Sequence, residues 1–441
     1  MNESDNIAAI ASAVGGAVTV IRLSGPGVLD IANNVWKGRR PLCDADARKM
    51  MLGKAGNDPT LAVYMKAPAS YTGGDVVELQ CHGGAAAADQ LMRAVLSAGC
   101  RLAEPGEFTY RAFMNGKMDL LQAEAVADIV SSGSEAALRL AENQLAGRLS
   151  SEIDRLWESV NDLRSECEAR LDFPEEELDF DNAAADKISG VAREVDKLLA
   201  TGSTGAALRD GVAVVLAGKP NAGKSSLLNM LLGFDRAIVS NVPGTTRDTV
   251  EARTVLRNIP VRLTDTAGLR DSDDIIEKLG IERSYRSIAS AQVTFWLLDA
   301  TAQNVADEAA SLDTAAPGVI AVWNKCDLAP QRELPHFSVP SVHISALTGE
   351  NMDALLDAFE KQIFSTVNTV MPEVAVNART SALLEKSLPF LRNAENLFRD
   401  GEYELAAAEL AAAAHALGEI IGKNADPDLL DNVFHRFCLG K

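Results

Sequence analysis

The 441-residue chain is short of positive charge: 42 Lys and Arg stand against 62 Asp and Glu, for a formal net charge of −20. So acidic a surface disfavours non-specific attraction to phosphate backbones and anionic membranes, and any work on nucleic acid must be local or shared with a partner. Cysteine is also sparse. Its six copies, at positions 43, 81, 100, 167, 326 and 438, never fall two residues apart, which argues against a zinc site and for reduced thiols in a cytosolic setting. His82 beside Cys81 has no second pair to complete a metal shell. No stretch reaches the ~18 consecutive apolar residues of a membrane span, so a soluble, cytoplasmic protein is expected. The small apolar run from Ile7 to Ile21 follows acidic residues where a signal peptide needs positive charge. Val18, Val20 and Arg22 alternate with period two, and the run reads as a first β-strand.

What is present is concentrated between Val212 and Ser226. A β-branched run (Val212, Val214, Val215, Leu216) ends at Gly218; Gly223-Lys224-Ser225 follows after four residues and leads into Leu227, Leu228, Met230, Leu231 and Leu232. That is strand, glycine-rich loop, helix. Backbone N–H groups of such a loop and the helix N-terminus face a phosphate, the lysine reaches the outer phosphates, and the serine hydroxyl ligates magnesium. Nucleotide contacts are expected along Asn221, Ala222, Gly223, Lys224, Ser225 and Ser226.

The length allows two to four domains. Up to about residue 117, strand candidates at 18–23, 61–65 and 75–81 and a helix at 85–98 describe a small α+β unit. From 118 to 208 the apolar period becomes 3.6, with Leu145, Leu149, Ile153, Leu156, Val160, Leu163 and Cys167 along one long helix. An acidic stretch from Asp172 reads as a solvated connection. A further helix at 186–199 is joined by the link Thr201-Gly-Ser-Thr-Gly to residues 209–371, which alternate strand and helix as a doubly wound domain does. The tail, 372–441, is helical again, alanine-rich from Glu402 to Ile421, with Asp426-Pro427 as a helix cap. A lone helical tail cannot bury its apolar stripe, so it is expected to pack on the 118–208 helices. The fold class is multidomain α/β, a doubly wound nucleotide domain inserted into a helical one.

Further motifs choose the nucleotide. Arg262-Leu-Thr-Asp265-Thr266-Ala267-Gly268 is a strand ending in an aspartate suited to water-bridged magnesium, with Gly268 free to turn its N–H to a terminal phosphate. Asn324-Lys325-Cys326-Asp327 follows an apolar strand; an aspartate there accepts two hydrogen bonds from guanine that adenine cannot offer. Ser345-Ala346-Leu347 suits a backbone contact to the base. Together these motifs identify a GTPase rather than an ATPase. Where many small GTPases place a glutamine to orient water, this chain has Leu269, which cannot hydrogen-bond it. Asp271, Asp273, Asp274 and Glu277 lie just beyond, and spacing alone does not choose among them.

With these residues assembled, the chain resembles the MnmE (TrmE) family of tRNA modification GTPases from end to end. The shared stretches include Ile21-Arg-Leu-Ser-Gly-Pro, Asp75 to Gly84, Pro105 to Leu120, Gly218 to Ser226, Pro243-Gly-Thr-Thr-Arg-Asp and the terminal Cys438-Leu-Gly-Lys. The resemblance implies an N-terminal folate-binding and dimerising domain over 1–117 and a Ras-like GTPase domain over 209–371. It also implies a homodimer and a partner flavoprotein, MnmG. The pair would add an aminomethyl or carboxymethylaminomethyl group to carbon 5 of the wobble uridine of certain tRNAs, taking a carbon from 5-formyltetrahydrofolate or a related tetrahydrofolate. By the same resemblance Arg22, Glu78, Lys117 and Lys441 contact the folate, as arginine, lysine and glutamate are suited to do. Glu277 is the catalytic glutamate and Cys438 a functional cysteine. Thr246 joins Ser225 on magnesium, while Asn221, Ser240, Val242 and Thr245 belong to the potassium-binding segment. One departure stands out: Ala11 to Val18 lacks the two prolines and the arginine of the family's usual glycine-rich stretch. The alternative reading is a regulatory dimeric GTPase with no direct tRNA chemistry.

Overall fold

Two sheets organise the chain, each in its own unit. The computed structural model describes residues 4–44, 46–172, 183–234, 251–265, 288–330, 332–365, 372–435 and 437–441. One unit comprises Met1–Val130, Asn143–Ala192 and Leu383–Lys441, the other Ser131–Glu142 and Arg193–Ala382. Among the described residues no helix is long and apolar enough to cross a membrane.

In the first unit, strands β1 (Ile7–Ile10), β2 (Val18–Ser24), β3 (Trp36–Gly38), β4 (Met51–Ala55), β5 (Asp58–Met65), β6 (Val76–His82) and β7 (Arg101–Leu102) form one sheet, ordered β3-β4-β5-β6-β2-β1-β7. The single strand expected from Ile7 to Ile21 is two antiparallel strands. The Gly15-Gly16 pair turns the chain between them, and the turn is pinned to Gly83 by Gly15 N–H donating to the Gly83 carbonyl and Gly83 N–H to that of Ala17. Alternation decides what each face carries. Ile21, Leu23, Leu79 and Cys81 are buried beneath helices α1 (Val28–Val35) and α2 (Ala85–Ser97), which leaves Arg22 and Glu78 to the other face.

That opposite face is served by α3 (Glu107–Met114) and, from the far end of the chain, by the tail. After α4 (Leu120–Ser131) and α5 (Glu135–Leu145), the long helix is α6 (Arg148–Asp172). It starts three residues later than its apolar stripe suggested, because Gly147 adopts φ +82 and ends the preceding turn. Leu149, Ile153, Leu156, Val160, Leu163 and Cys167 are all buried.

Beyond α7 (Ala183–Leu199), the second unit continues with α8 (Gly202–Asp210), where a link was expected. Two glycines in five residues argue against a helix, yet packing overrides them: Thr204 and Gly205 are buried, with Gly205 set closely against Ala375 and Val376. Strands β8 (Val212–Gly218), β9 (Glu251–Leu256), β10 (Ile259–Asp265), β11 (Val293–Asp299), β12 (Val319–Asn324) and β13 (Ser341–His343) pair in the order β13-β12-β11-β8-β10-β9. All pairs are parallel save the β9–β10 hairpin. With α9 (Lys224–Phe234), α10 (Val305–Ala309) and α11 (Met352–Ser365) this is a doubly wound α/β domain with a mixed sheet. Val214, Leu216, Leu263, Phe295 and Val322 are fully buried in its core, each contributing about 1.5–3 kcal/mol by leaving water.

The helical tail closes the first unit as α12 (Ala378–Arg399), α13 (Tyr403–Ile421) and α14 (Pro427–Phe434). Alanines 406, 413 and 414 on α13 are buried and let its backbone approach α6 closely. The pair is stapled where the Lys423 ammonium sits 3.4 Å over the Trp157 ring and 2.8 Å from Asp154. Asp426 caps α14 by accepting from Asp428 N–H, with Pro427 in the first turn.

Candidate functional site

The strand-to-helix loop after β8 is shaped by close approach. Gly218, at φ +131, lies so near β11 that a Cβ would meet the Leu297 carbonyl at 2.3 Å; a Cβ on Gly223, at φ +98, would meet Asn324 Nδ2 at 2.1 Å. Both positions therefore require glycine. Asn221 is also left-handed, at φ 64, and Ala222 is buried beneath the loop. Lys224 turns its ammonium onto the loop's own carbonyls, Gly218 O at 2.8 Å and Lys219 O at 2.9 Å. Ser225 and Ser226 are exposed at the start of α9.

Three motifs, two of them 22 residues apart and the third 102 residues away, meet at one side chain. Asn324, 2% exposed, donates to the Ala222 carbonyl at 2.8 Å and accepts from Ala346 N–H at 2.9 Å. One buried amide thus joins the phosphate loop, the Asn324–Asp327 turn and the Ser345–Ala346 turn. Ser345 is fully buried and its hydroxyl accepts from Thr348 N–H. Lys325, left-handed at φ 66, donates to Asp299 at 2.6 Å. Burial alone would raise the Asp299 pKa; the bonds from Lys325 and Thr301 outweigh it and hold the carboxyl below its usual range. Asp327 is half-buried and makes no hydrogen bond or ion pair with a described residue. Asp265 ends β10 beside Leu216 of β8. Thr266, Ala267, Gly268, Glu277, Ser240, Val242, Thr245 and Thr246 lie outside the described residues.

Sequence reasoning missed one partner of the loop. Lys219 donates to the Asp307 carbonyl and to the Glu308 carboxylate on α10, both at 2.9 Å, and Glu308 also accepts from Asp299 N–H at 3.3 Å. Lys219 could have been flagged by its place inside the glycine-rich loop. Glu308, 89 residues on, carries no local signal.

On the open face of the first sheet, register places Arg22 directly opposite Glu78, and Arg22 Nε donates to Glu78 Oε1 at 2.8 Å. The guanidinium lies 5.5 Å from the Tyr71 ring centre and 5.8 Å from that of Phe108, and burial raises the pKa of the Tyr71 phenol. The tail arrives here too. Arg22 Nη1 donates to the Gly440 carbonyl at 3.2 Å, and Phe108 N–H donates to the Lys441 oxygen at 3.2 Å. Arg22, Glu78 and Lys441 are therefore brought together. Lys117 is exposed beyond α3, its stem against Gly73, and no hydrogen bond joins it to Arg22 or Glu78. Cys438 is exposed, three residues before Lys441.

Comparison with known proteins covers the same two regions. The family model for the GTP-binding protein TrmE N-terminus matches residues 6–117, and that for the MnmE helical domain matches residues 120–438. The tRNA modification GTPase MnmE of Geotalea uraniireducens is 42% identical over the whole of both chains. That of Akkermansia muciniphila is 41% identical over 99% of this chain and 98% of its own.

Proposed function

Because the chain belongs to the MnmE (TrmE) family of tRNA modification GTPases, we propose that GTP lies between the Gly218–Ser225 loop and the turns at 324–327 and 345–346, and that its hydrolysis serves wobble-uridine modification. The observation that carries this reading is the Asn324 amide bridging Ala222 and Ala346. It holds the base-facing turns against the phosphate loop, so that phosphates and base can be bound at one place. The loop suits a phosphate chain: Gly218 and Gly223 let it pass close against Leu297 and Asn324, and the Lys224 ammonium lies over the Gly218 and Lys219 carbonyls, where a phosphate oxygen can join it. Asp327 holds a carboxylate that no described residue engages, open to guanine's two N–H donors.

The cation roles follow from residue chemistry. Ser225, Thr246 and Asp265 would serve magnesium. Asn221, Ser240, Val242 and Thr245 would offer potassium hard oxygen ligands, and the ion would supply positive charge where phosphoryl transfer builds negative charge. Glu277 would orient the attacking water that Leu269 cannot hold. In the first unit, Arg22, Glu78, Lys117 and Lys441 would hold 5-formyltetrahydrofolate or a related tetrahydrofolate. Here Arg22 is oriented by two aromatic rings and by Gly440, which suits it to a folate carboxylate. Residues 1–117 would form the folate-binding and dimerisation domain, 118–208 and 372–441 the helical domain, and 209–371 the GTPase domain. The protein would work in the cytoplasm as a homodimer with the flavoprotein MnmG. Together they would add the aminomethyl or carboxymethylaminomethyl group to carbon 5 of the wobble uridine, with Cys438 in the modification step.

Asp327→Asn tests the reading twice. Guanine preference should fall by about a hundredfold or more, because a site built to accept two N–H bonds loses them, and preference that persisted would sink the GTP assignment. In cells carrying the variant, mass spectrometry of tRNA nucleosides should find the wobble uridine unmodified. Full modification there would favour a regulatory GTPase without direct tRNA chemistry.

A further inference from the structure

In a chain of formal charge −20, residues 36–55 hold six Lys and Arg against two Asp. They occupy the outer two strands of the first sheet, β3 and β4, and the segment between them. Register sets Lys37 directly opposite Lys54, and like charges facing across a ladder repel. No carboxylate of a described residue relieves them. Lys37 donates to the Asn33 carbonyl at 2.7 Å, and Arg39, Arg40 and Lys54 form no ion pair with a described residue. Arg48 donates to the Ala69 carbonyl, again a neutral partner. Among the described residues, Lys49 alone of the six meets an acid, Asp46 at 3.2 Å. All six are exposed.

A lysine on an edge strand has a plain structural use, since it discourages pairing with another chain. That accounts for Lys37 on β3. It does not account for Lys54, whose strand is paired on both sides, nor for three arginines outside any strand. Lys37, Lys54, Arg39 and Arg40, on the outer strands and directly after β3, repel one another until an anion spans them. Mixed guanidinium and ammonium groups match phosphate oxygens, arginine as a fork and lysine as a point charge. The one aromatic in the stretch, Trp36, is buried, so no ring is offered for stacking on bases, and recognition is of backbone rather than sequence.

We propose that β3, β4 and the segment joining them dock the phosphate backbone of tRNA, giving an acidic protein the local basic surface its substrate needs. The proposal rests on the chain handling tRNA. Its test combines Lys37→Gln, Arg39→Gln, Arg40→Gln and Lys54→Gln in the full chain. A labelled tRNA transcript with an unmodified wobble uridine is titrated over a range of salt concentrations, with and without the flavoprotein. Affinity at low salt should fall by about tenfold or more, and the log–log salt slope should drop by roughly 3, at about 0.7–0.9 per lost phosphate contact. GTP hydrolysis should not change, and Lys37→Arg with Lys54→Arg should bind like the parent. Equal affinity and slope in the four-fold variant would overturn the proposal. So would retained tRNA binding with loss of the flavoprotein, which would reassign the edge to an acidic protein surface. A parent chain that bound no tRNA in either setting would remove the proposal together with the reading beneath it.

Discussion

The two candidate sites are built in opposite ways. In the second unit, short contiguous motifs each end a parallel strand, and the sheet delivers them to one edge, as doubly wound folds do; a single buried amide, Asn324, then locks three of them together. In the first unit no motif contains the site. Arg22 meets Glu78 because β2 and β6 pair in one register, and it meets Gly440 across 418 residues of chain. The nucleotide site should therefore tolerate damage elsewhere and fail when one bridging residue is lost, whereas the N-terminal site should fail whenever its unit loosens.

The largest effect should come from Glu107. Its carboxylate is fully buried at the start of α3 and holds Arg101 at 2.7 Å and Arg111 at 3.0 Å while accepting from Glu104 N–H. Glu107→Ala leaves two guanidinium groups without their shared anion and should cost about 3–5 kcal/mol, read as a lower urea midpoint. Lys441 docks on the next residue, Phe108, so folate binding should be lost too, while GDP affinity stays near the parent's. An equal loss of GDP binding would break the comparison. Acid gives a second reading of the same group. Burial by itself pushes the Glu107 pKa up, but the hydrogen bonds from Arg101, Glu104 and Arg111 prevail and hold it below its ordinary value. The unfolded chain then binds the proton first as pH falls. The stabilisation is thus complete above the unfolded carboxylate value of about 4.3 and is lost progressively below it; Glu107→Gln should flatten that acid limb.

Next in size is Asn324→Ala. It leaves the Ala222 carbonyl and the Ala346 N–H without their partner in a buried setting, at about 1–3 kcal/mol for each unsatisfied group. GDP affinity by calorimetry should fall roughly a hundredfold with folate binding unchanged. A variant that bound GDP normally would mean that strand ends alone position the turns.

This contrast also decides what could be read from the sequence. The strand, loop and helix from Val212 to Phe234, the Asn324–Asp327 turn and the helical tail were legible because each carries its own period, glycines or caps. The α8 helix was not, since Gly202 and Gly205 read as a link and only packing on Ala375 and Val376 makes them helical. The break between β1 and β2 was hidden by apolar residues on both sides of Gly15 and Gly16. Arg22 and Glu78 stood out through family resemblance alone: strand register over 56 residues is set by the whole sheet and leaves no local mark.

The smallest effect expected probes whether the phosphate loop is as self-contained as its motif. Lys219 Nζ reaches Glu308 at 2.9 Å; Glu308 accepts from Asp299 N–H, and Asp299 takes the Lys325 ammonium at 2.6 Å. A relay of two ion pairs joined by a backbone N–H thus ties the loop to the base-facing turn by a route separate from Asn324. The Lys219 side chain is 42% exposed and the Glu308 side chain 7%. Water screens the lysine end, so the pair is worth only about 0–1 kcal/mol as an attraction. Removing the lysine costs more than that, because the buried carboxylate loses a donor. Lys219→Gln should therefore weaken GDP about fivefold, on the order of 1 kcal/mol. Glu308→Gln should weaken it less, and the double variant should do little more than Lys219→Gln alone, because neighbours sharing one interaction are not additive. Stopped-flow release of a labelled GDP should locate the change in the dissociation rate. A lowered melting temperature with nucleotide release untouched would reduce the relay to a structural brace and leave Asn324 as the link between loop and base.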